Sequence, residues 1–327
     1  MADRLDDQGI ATVFGGSGFV GRYAVAALAK QGWRVRAAVR RPELAGFLQP
    51  AGFVGQVAPV QANLRFPPSV QRALLGSKAV VNAVGVLVSG GRQTFRAIHV
   101  EGPQAVAKAA REAGVRHLVH ISAIGANAKS SSRYARSKAE GEAAVLQEFP
   151  GAIIVRPSIV FGPEDEFFNR FAAMARVSPL LPLIGRGRTR FQPVFVADLA
   201  AAIAACASGI GKPGTIYEAG GPEVLSFREL LDLTQQWSDR SRGYLPMPFW
   251  LAKLQAILTW PLPNAMRPVT LDQVRMLQQD NVVSAAANSE GRTLAELGVT
   301  APHGVAAIVP TYLERFRPRG QFAHYRA

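Results

Sequence analysis

The sequence is poor in cysteine, in acidic residues and in long hydrophobic runs. Cys206 is the single cysteine among 327 residues, which excludes an internal disulfide framework and is typical of a reducing compartment. No cysteine and histidine residues stand at metal-ligand spacing, so we expect no metal site. No stretch reaches the roughly 20 apolar residues that a membrane-spanning helix needs, and we predict no transmembrane segment.

Basic residues outnumber acidic ones by 37 to 23, and the formal net charge is +14. This surplus predicts attraction to phosphate groups, acidic protein surfaces or an anionic membrane surface. The arginines are scattered through ordinary elements and no nucleic-acid-binding motif occurs. We therefore expect no nucleic acid among the partners.

The first half of the chain alternates short β-branched runs with longer alanine- and leucine-rich stretches. Runs such as IATVF, RVRAAV and HLVHISA read as strands, and 19–31 and 97–113 read as helices. This alternation predicts an α/β fold with a Rossmann-type, doubly wound parallel sheet and crossover helices.

The length exceeds that of an ordinary single core, which predicts an additional smaller lobe. The character of the sequence changes at about residue 221, where SFRELLDLTQQWS reads as a helix with Ser226 and Glu229 in a capping box. We predict a dinucleotide-binding domain over 1–165 and about 190–220, and a smaller C-terminal α/β lobe over about 166–189 and 221–327.

A glycine motif follows the first predicted strand. Gly15, Gly18 and Gly21 form a G-x-x-G-x-x-G pattern between this strand and the next helix, which is the context that a dinucleotide-binding turn requires. The glycines allow a tight turn, a close approach of a pyrophosphate and close packing of helix on strand. The phosphates are then expected at the positive end of the helix.

The end of the second strand indicates which dinucleotide is bound. An acidic residue there would bind the ribose hydroxyls of NAD, but this strand ends in Arg40 and Arg41. Their charge and geometry suit a 2′-phosphate, so we predict NADPH. The alternative is two solvated arginines on a basic surface.

This sequence has the glycine motif, an Asn-Ala-x-Gly turn at 82–85, Tyr-x-x-x-Lys at 134–138, and the segments RPSIVFG and VFVADLA. Together these motifs resemble the extended, atypical short-chain dehydrogenase/reductase superfamily. More specifically, IHVEGPQAVAKAA, SSSRYARSKAEGE and IIVRPSIVFGPEDEFFNRFA resemble the nucleotide-binding accessory subunits of respiratory complex I, the NADH:ubiquinone oxidoreductase. The resemblance implies a subunit that holds NADPH, supports assembly and stability near the quinone site, and contacts core subunits and the membrane surface.

The resemblance also implies the residues of the site. Tyr134 and Lys138 match the catalytic pair of the superfamily, and Pro157 and Ser158 match the turn that faces the nicotinamide ring. Asn63 and the turn at 82–85 are placed to line the adenine and ribose pocket. The predicted cofactor-binding residues are Gly15, Ser17, Gly18, Phe19, Val20, Gly21, Arg40, Arg41, Asn63, Ala83, Val84, Gly85, Ile121, Ser122, Tyr134, Lys138, Pro157, Ser158 and Ile159.

Whether the pair performs chemistry is a separate question. In the superfamily's enzymes the lysine lowers the pKa of the tyrosine, which exchanges a proton with the substrate oxygen that a nearby serine or threonine also holds. Here that hydroxyl position falls on Ala123, and Ser122 is one residue short, on the opposite face of the strand. We therefore predict that Tyr134 and Lys138 hold the cofactor without turnover. The alternative is an NAD(P)H-dependent reductase or a sugar-nucleotide epimerase or dehydratase.

Two features suggest where the chain docks. The segment MPFWLAKLQAILTWPLP reads either as a helix packed in the C-terminal lobe or as an interfacial helix with Trp250 and Trp260 at its ends. Arginines cluster at 185–190 and 314–322 and suit an acidic protein or anionic lipid. The acidic N-terminus does not resemble a presequence, so we expect peripheral attachment at the cytoplasmic face of a bacterial inner membrane, or the matrix side if the source is eukaryotic.

Overall fold

The structure is a computed structural model that describes residues 8–259, 269–318 and 320. The strands are β1 (Ile10–Phe14), β2 (Arg34–Val39), β3 (Val57–Gln61), β4 (Ser77–Asn82), β5 (His117–Ile121), β6 (Ile153–Pro157), β7 (Val160–Phe161), β8 (Leu180–Ile184), β9 (Arg190–Phe191), β10 (Val194–Phe195), β11 (Ile216–Ala219), β12 (Leu225–Ser226) and β13 (Gly243–Met247).

The helices are α1 (Phe19–Lys30), α2 (Pro67–Leu74), α3 (Gly102–Glu112), α4 (Arg133–Glu148), α5 (Phe168–Val177), α6 (Val196–Ala207), α7 (Phe227–Trp237), α8 (Phe249–Leu258), α9 (Leu271–Met276), α10 (Ala285–Ser289) and α11 (Val305–Leu313). A π-helical turn, Arg96–Glu101, precedes α3 directly.

Seven strands form one parallel sheet in the order β11-β6-β5-β4-β1-β2-β3. The strand order reverses at β1, whose neighbours are β2 and β4. In the register, Phe14 at the end of β1 lies opposite Ala38 and Asn82. The carboxyl ends of these three strands therefore meet at one edge, where open α/β sheets bind their ligands. The predicted Rossmann-type fold is confirmed.

The sheet is buried because its strands are apolar on both faces. Alternate residues such as Phe14, Val80 and Ile154 pack with α2, α3 and α4 in one core cluster. α1 and α6 contact each other and form a second helical layer over the strands, where residues such as Ala11 and Val13 are fully buried. Burial on both faces is typical of doubly wound sheets.

The chain divides into two compact units. The first contains the chain to Pro157 with Val196–Ala219 and Ser284–Thr300, and the second contains Ser158–Phe195, Gly220–Val283 and the chain from Ala301. These boundaries differ from the sequence-based ones chiefly at Ser284–Thr300, which joins the sheet unit. There, Glu218 donates its backbone N–H to Arg292 O at 2.9 Å, and Arg292 Nη1 donates to Ile216 O at 2.8 Å, so this segment covers the edge strand β11.

The second unit contains three two-stranded pairs, β7 with β10, β9 with β12 and β8 with β13. Aromatic residues dominate its core, among them Phe161, Phe168 and Phe227. The predicted capping box is present: the Ser226 side chain accepts from the Glu229 backbone N–H, and the Glu229 carboxylate accepts from the Ser226 N–H. The helix predicted around Trp250 is α8, while Trp260 lies outside the described residues.

Across the described residues, no helix is both long enough and apolar enough to cross a bilayer.

Candidate nucleotide-binding site

The turn between β1 and α1 has the geometry that the glycine motif predicts. Gly15 adopts a φ of +77°, which favours glycine, and Gly18 N–H donates to Gly15 O at 2.9 Å. A Cβ at Gly21 would lie 2.0 Å from Gly15 O, so only glycine permits this packing. Gly18 caps α1 without a side-chain hydrogen bond, which leaves the first-turn N–H groups and the positive helix end for an anion.

A cavity of about 230 Å³ opens at this turn. Eight of the predicted residues line it, namely Gly15, Ser17, Gly18, Arg40, Asn63, Ala83, Val84 and Gly85. They come from the carboxyl ends of β1, β2, β3 and β4, as the register of the sheet requires. Phe19, Val20 and Gly21 lie in the first turn of α1 and do not line it.

The two predicted arginines differ in position. Arg40 lines the cavity, whereas Arg41 does not. Arg65, which was not among the predicted residues, is a second cation on the cavity wall. Its backbone N–H donates to Asn63 Oδ1 at 3.1 Å. The position of Arg65 just after β3 could have indicated it. β3 pairs in parallel with β2, so the residues that follow these two strands, Arg65 and Arg40, lie at the same edge of the sheet.

The Asn-Ala-x-Gly turn forms the opposite wall. Asn82 is buried, and its Oδ1 accepts from the Val84 N–H at 3.2 Å, which fixes the turn. Ala83 N–H donates to Phe14 O at 3.0 Å and ties this turn to the end of β1. Val86, just beyond the predicted turn, also lines the cavity.

Tyr134 and Lys138 lie on α4, where Ser132 caps the helix by accepting from the Ala135 N–H at 3.2 Å. Both side chains are buried, with 8% and 4% exposed. Lys138 Nζ donates to Ile121 O at 3.0 Å, and burial lowers the lysine pKa to about 8. A Cβ at Gly85 would lie 3.6 Å from Nζ, so the ammonium adjoins the cavity wall.

Ala123, where the resemblance to the superfamily predicts a hydroxyl group, has none. The Oγ of Ser122 is buried without a hydrogen-bond partner among the described residues. Ser130 Oγ accepts from the Ser132 N–H, and Ser132 is occupied by its capping bond. Ser130 and Ser132 therefore serve the start of α4.

Pro157 ends β6 in the sheet unit, and Ser158 and Ile159 begin the second unit. The Ser158 Oγ lies 2.7 Å from both Asn281 O and Asn281 Oδ1, and accepts from the Gln192 N–H at 3.2 Å. This hydroxyl is thus hydrogen-bonded within its own unit. The nicotinamide-facing role of Pro157 and Ser158 and the cofactor-binding role of Ile159 stay predictions.

Two buried histidines near the pair were not predicted. His99 lies in the π-helical turn, and burial, reinforced by the positive charge of Lys138, lowers its pKa to about 3. His120 lies on β5 with Nδ1 3.3 Å from Asn82 Nδ2, and burial first, then Lys138, lowers its pKa well below its usual value. Both rings are therefore neutral at physiological pH.

The arrangement can hold an anionic dinucleotide. It offers a helix N-terminus without a side-chain cap, a glycine approach for a pyrophosphate, and the two cations Arg40 and Arg65 at one wall of the cavity. The Lys138 ammonium adjoins the opposite wall at Gly85. Within the described part of the chain, no group of three His, Cys, Asp or Glu side chains is placed to hold a metal ion. The geometry is that of a dinucleotide site of the Rossmann type.

Comparison with known proteins agrees with this geometry. The family model of the NAD dependent epimerase/dehydratase family matches residues 11–220. NADH dehydrogenase [ubiquinone] 1 alpha subcomplex subunit 9, mitochondrial, of Arabidopsis thaliana is 35% identical over 84% of this chain and 71% of its own. A ceramide reductase of Caulobacter vibrioides is 35% identical over 61% of each chain.

Among solved structures, an NADPH-dependent quinone oxidoreductase of Escherichia coli complexed with NADPH superimposes with a TM-score of 0.72. It is 20% identical, and the superposition covers 93% of this chain and 99% of that one. This likeness concerns the fold. Taken with the family match and the relatives, the chain belongs to the NAD dependent epimerase/dehydratase family and, within it, to the group of complex I alpha subcomplex subunit 9.

Proposed function

We propose that this protein is an NADPH-holding accessory subunit of respiratory complex I, which supports assembly and stability near the quinone site. The observation that carries the proposal is the 35% identity to the Arabidopsis complex I subunit over 84% of this chain. The match extends well beyond the glycine motif at Gly15, Gly18 and Gly21.

The preference for NADPH rests on the positive charge at the cavity. Arg40 and Arg65 both line it, and among the residues that the structure describes neither a glutamate nor an aspartate does. The Arg40 side chain forms no hydrogen bond or ion pair with another described residue. A guanidinium with its donors unused suits a 2′-phosphate, since hydrogen bonds between ions are stronger than neutral ones.

The proposed role is binding and not turnover. Ala123 supplies no hydroxyl to hold a substrate oxygen, and the neighbouring Ser130 and Ser132 oxygens are engaged in local hydrogen bonds. The Lys138 ammonium is buried and bonded to Ile121 O, which keeps it beside the cavity as a ligand for a ribose hydroxyl. Tyr134 and Lys138 then retain the nucleotide.

The proposed docking surface lies on the second unit and consists of α8 with Arg186 and Arg188. α8 buries Ala252 and Ala256, while Trp250, Ile257 and Leu258 are more than half exposed. Arg186 and Arg188 line a second cavity with Phe249 at the start of α8. Apolar area beside cations suits core subunits of the complex and an anionic membrane surface, at the cytoplasmic face of a bacterial inner membrane or the matrix side of a mitochondrial one.

Purification from gently solubilised native membranes tests the proposal. We expect subunits of the membrane NADH dehydrogenase to accompany the chain, with NADP(H) bound in about equal molar amount. An unassociated, nucleotide-free protein in a cell that contains complex I would refute it.

A second candidate is an NADPH-dependent reductase, which the identity to the ceramide reductase favours. Tyr134 would donate its hydroxyl proton to a carbonyl oxygen, and the bound cofactor would supply the hydride. NADPH oxidation that depends on a long-chain ketone and is lost in Tyr134→Phe would establish this activity. The same oxidation rate in Tyr134→Phe would reject Tyr134 as the acid.

A further inference from the structure

His99 connects the wall of the nucleotide cavity to the helix that carries Tyr134 and Lys138. It lies in the π-helical turn Arg96–Glu101, and 1% of it is exposed. π-helical turns inside helices are rare and occur frequently at functional sites. The sequence motifs assign no role to this residue.

Both ring nitrogens of His99 are hydrogen-bonded. Nε2 accepts from the Val86 N–H at 3.1 Å, so in the neutral ring the proton lies on Nδ1. Nδ1 therefore donates to Ser137 Oγ at 2.9 Å, and Ser137 Oγ donates to Tyr134 O at 2.8 Å. One chain of hydrogen bonds thus runs from the cavity wall at Val86 to the backbone of Tyr134.

The ring is also held by aromatic contacts. Phe95 stacks on His99 with centroids 5.3 Å apart and an angle of 17°. Tyr134 meets the ring at 5.4 Å and 89°, an edge-to-face contact. A Cβ at Gly141 would lie 1.8 Å from His99 O, so α4 lies directly against the backbone of the π-helical turn. The imidazole is held in one orientation from several sides.

Burial, with a smaller contribution from nearby charge, keeps this ring in its accepting form. Burial lowers the pKa of His99 to about 3, and the positive Lys138 contributes in the same direction. A protonated ring would lose the Nε2 lone pair that accepts from Val86. At neutral pH the bond to the cavity wall is therefore retained.

We propose that His99 is a positioning residue for the wall of the nucleotide pocket beside Lys138, where the resemblance places the nicotinamide ribose. Its Nε2 fixes Val86 and the adjoining Gly85 against Lys138. A Cβ at Gly85 would lie 3.6 Å from Lys138 Nζ and 3.9 Å from His99 Nε2, so both groups lie against this glycine. The wall beside the ammonium is thereby set before the nucleotide arrives, which reduces the ordering cost of binding. This inference rests on the proposed binding of NADPH.

Three substitutions separate the two hydrogen bonds from the packing. His99→Phe keeps an aromatic ring and removes both bonds. His99→Asn places its amide where Nδ1 lies and keeps the bond to Ser137, whereas His99→Gln reaches the Nε2 position and keeps the bond from Val86. Each variant is titrated with NADPH and with 2′,5′-ADP, which contains the adenosine half alone.

We expect NADPH to bind about tenfold more weakly to His99→Phe and His99→Asn, and within about threefold of the parent to His99→Gln. The affinity for 2′,5′-ADP should stay within about twofold in all three, because this ligand lacks the nicotinamide ribose that is expected beside Lys138. A general folding defect would instead weaken both ligands and lower the melting temperature together.

Equal NADPH affinity in the parent and His99→Phe, or no advantage of His99→Gln over His99→Asn, would overturn the inference and leave the proposed function standing. If His99→Phe does not fold, the comparison of His99→Gln with His99→Asn decides. A parent protein that binds 2′,5′-ADP and NADPH too weakly to measure would refute the proposed function and this inference together.

Discussion

Lys138 Nζ donates a hydrogen bond of 3.0 Å to the carbonyl oxygen of Ile121, the last residue of β5. The bond anchors the only charged member of the Tyr-x-x-x-Lys pair to the sheet from which the cavity is built. Burial lowers the pKa of this lysine from 10.5 to about 8, and the nearby Glu142 opposes the shift. Burial of the ammonium therefore destabilises the folded state, and hydrogen bonds from Lys138 to a bound nucleotide can offset this loss.

The first prediction concerns the pH dependence of stability. Between about pH 8 and 10.5 the unfolded chain binds more protons at Lys138 than the folded chain does, so this residue makes the free energy of unfolding rise with pH. We expect the nucleotide-free protein to gain on the order of 1 to 3 kcal/mol relative to Lys138→Met across this range. Urea unfolding of both proteins at several pH values measures the difference. A difference that does not change with pH would contradict the prediction.

The second prediction separates the two arginines after β2. Arg40→Met removes a cation from the cavity wall, and we expect the affinity for NADPH to fall about 10- to 100-fold while that for NADH changes little. Arg41→Met is the matched control, because Arg41 does not line the cavity, and it should change either affinity less than about twofold. Fluorescence titration with both nucleotides measures this. An equal loss in both variants would reject the assignment.

The third prediction concerns the glycine turn. Gly21→Ala places a Cβ 2.0 Å from Gly15 O, and we expect it to reduce the free energy of unfolding by more than about 2 kcal/mol. At Gly18 the Cβ would lie 3.2 Å from the same oxygen and φ is −74°, so Gly18→Ala should fold. Its NADPH affinity should nevertheless fall, since the methyl group occupies the approach of the pyrophosphate. Chemical unfolding and nucleotide titration are measured on both variants.

The fourth prediction concerns the exposed face of α8. Trp250→Glu should weaken binding to vesicles of phosphatidylcholine and phosphatidylglycerol about tenfold, because it removes apolar area and adds a negative charge. Val177→Glu is the control, since Val177 is 85% exposed at the end of another helix, and it should bind as the parent does. Equal binding of the parent and Trp250→Glu would show that α8 is not the contact surface.

Local patterns in the sequence sufficed for the sheet, the glycine turn and the Tyr134–Lys138 helix. Each of these depends on residues a few positions apart, whose spacing reflects the period of a strand or helix. The capping box at Ser226 and Glu229 was predictable for the same reason. Such features are decided by the chain's own geometry before any distant segment packs.

The remaining features of the site depend on distant contacts. Arg65 and Arg40 line one cavity because β3 pairs with β2, and Ser158 is engaged by Asn281, 123 positions further along. His99 meets Val86 and Ser137 only after the π-helical turn packs on α4. No spacing in the sequence encodes these contacts. Ser284–Thr300 likewise has little periodicity of its own, and it was predicted to belong to the C-terminal lobe.

The position of Ser284–Thr300 has a consequence for biosynthesis. The strand β11 ends at Ala219, yet the residues that cover it, such as Arg292, are translated more than 70 positions later. The edge of the sheet therefore stays open while the ribosome makes the intervening segment, and exposed strand edges are prone to pair with other chains. A gene truncated after the glycines that follow β11 would encode every residue that lines the nucleotide cavity and still yield a domain with that edge unprotected.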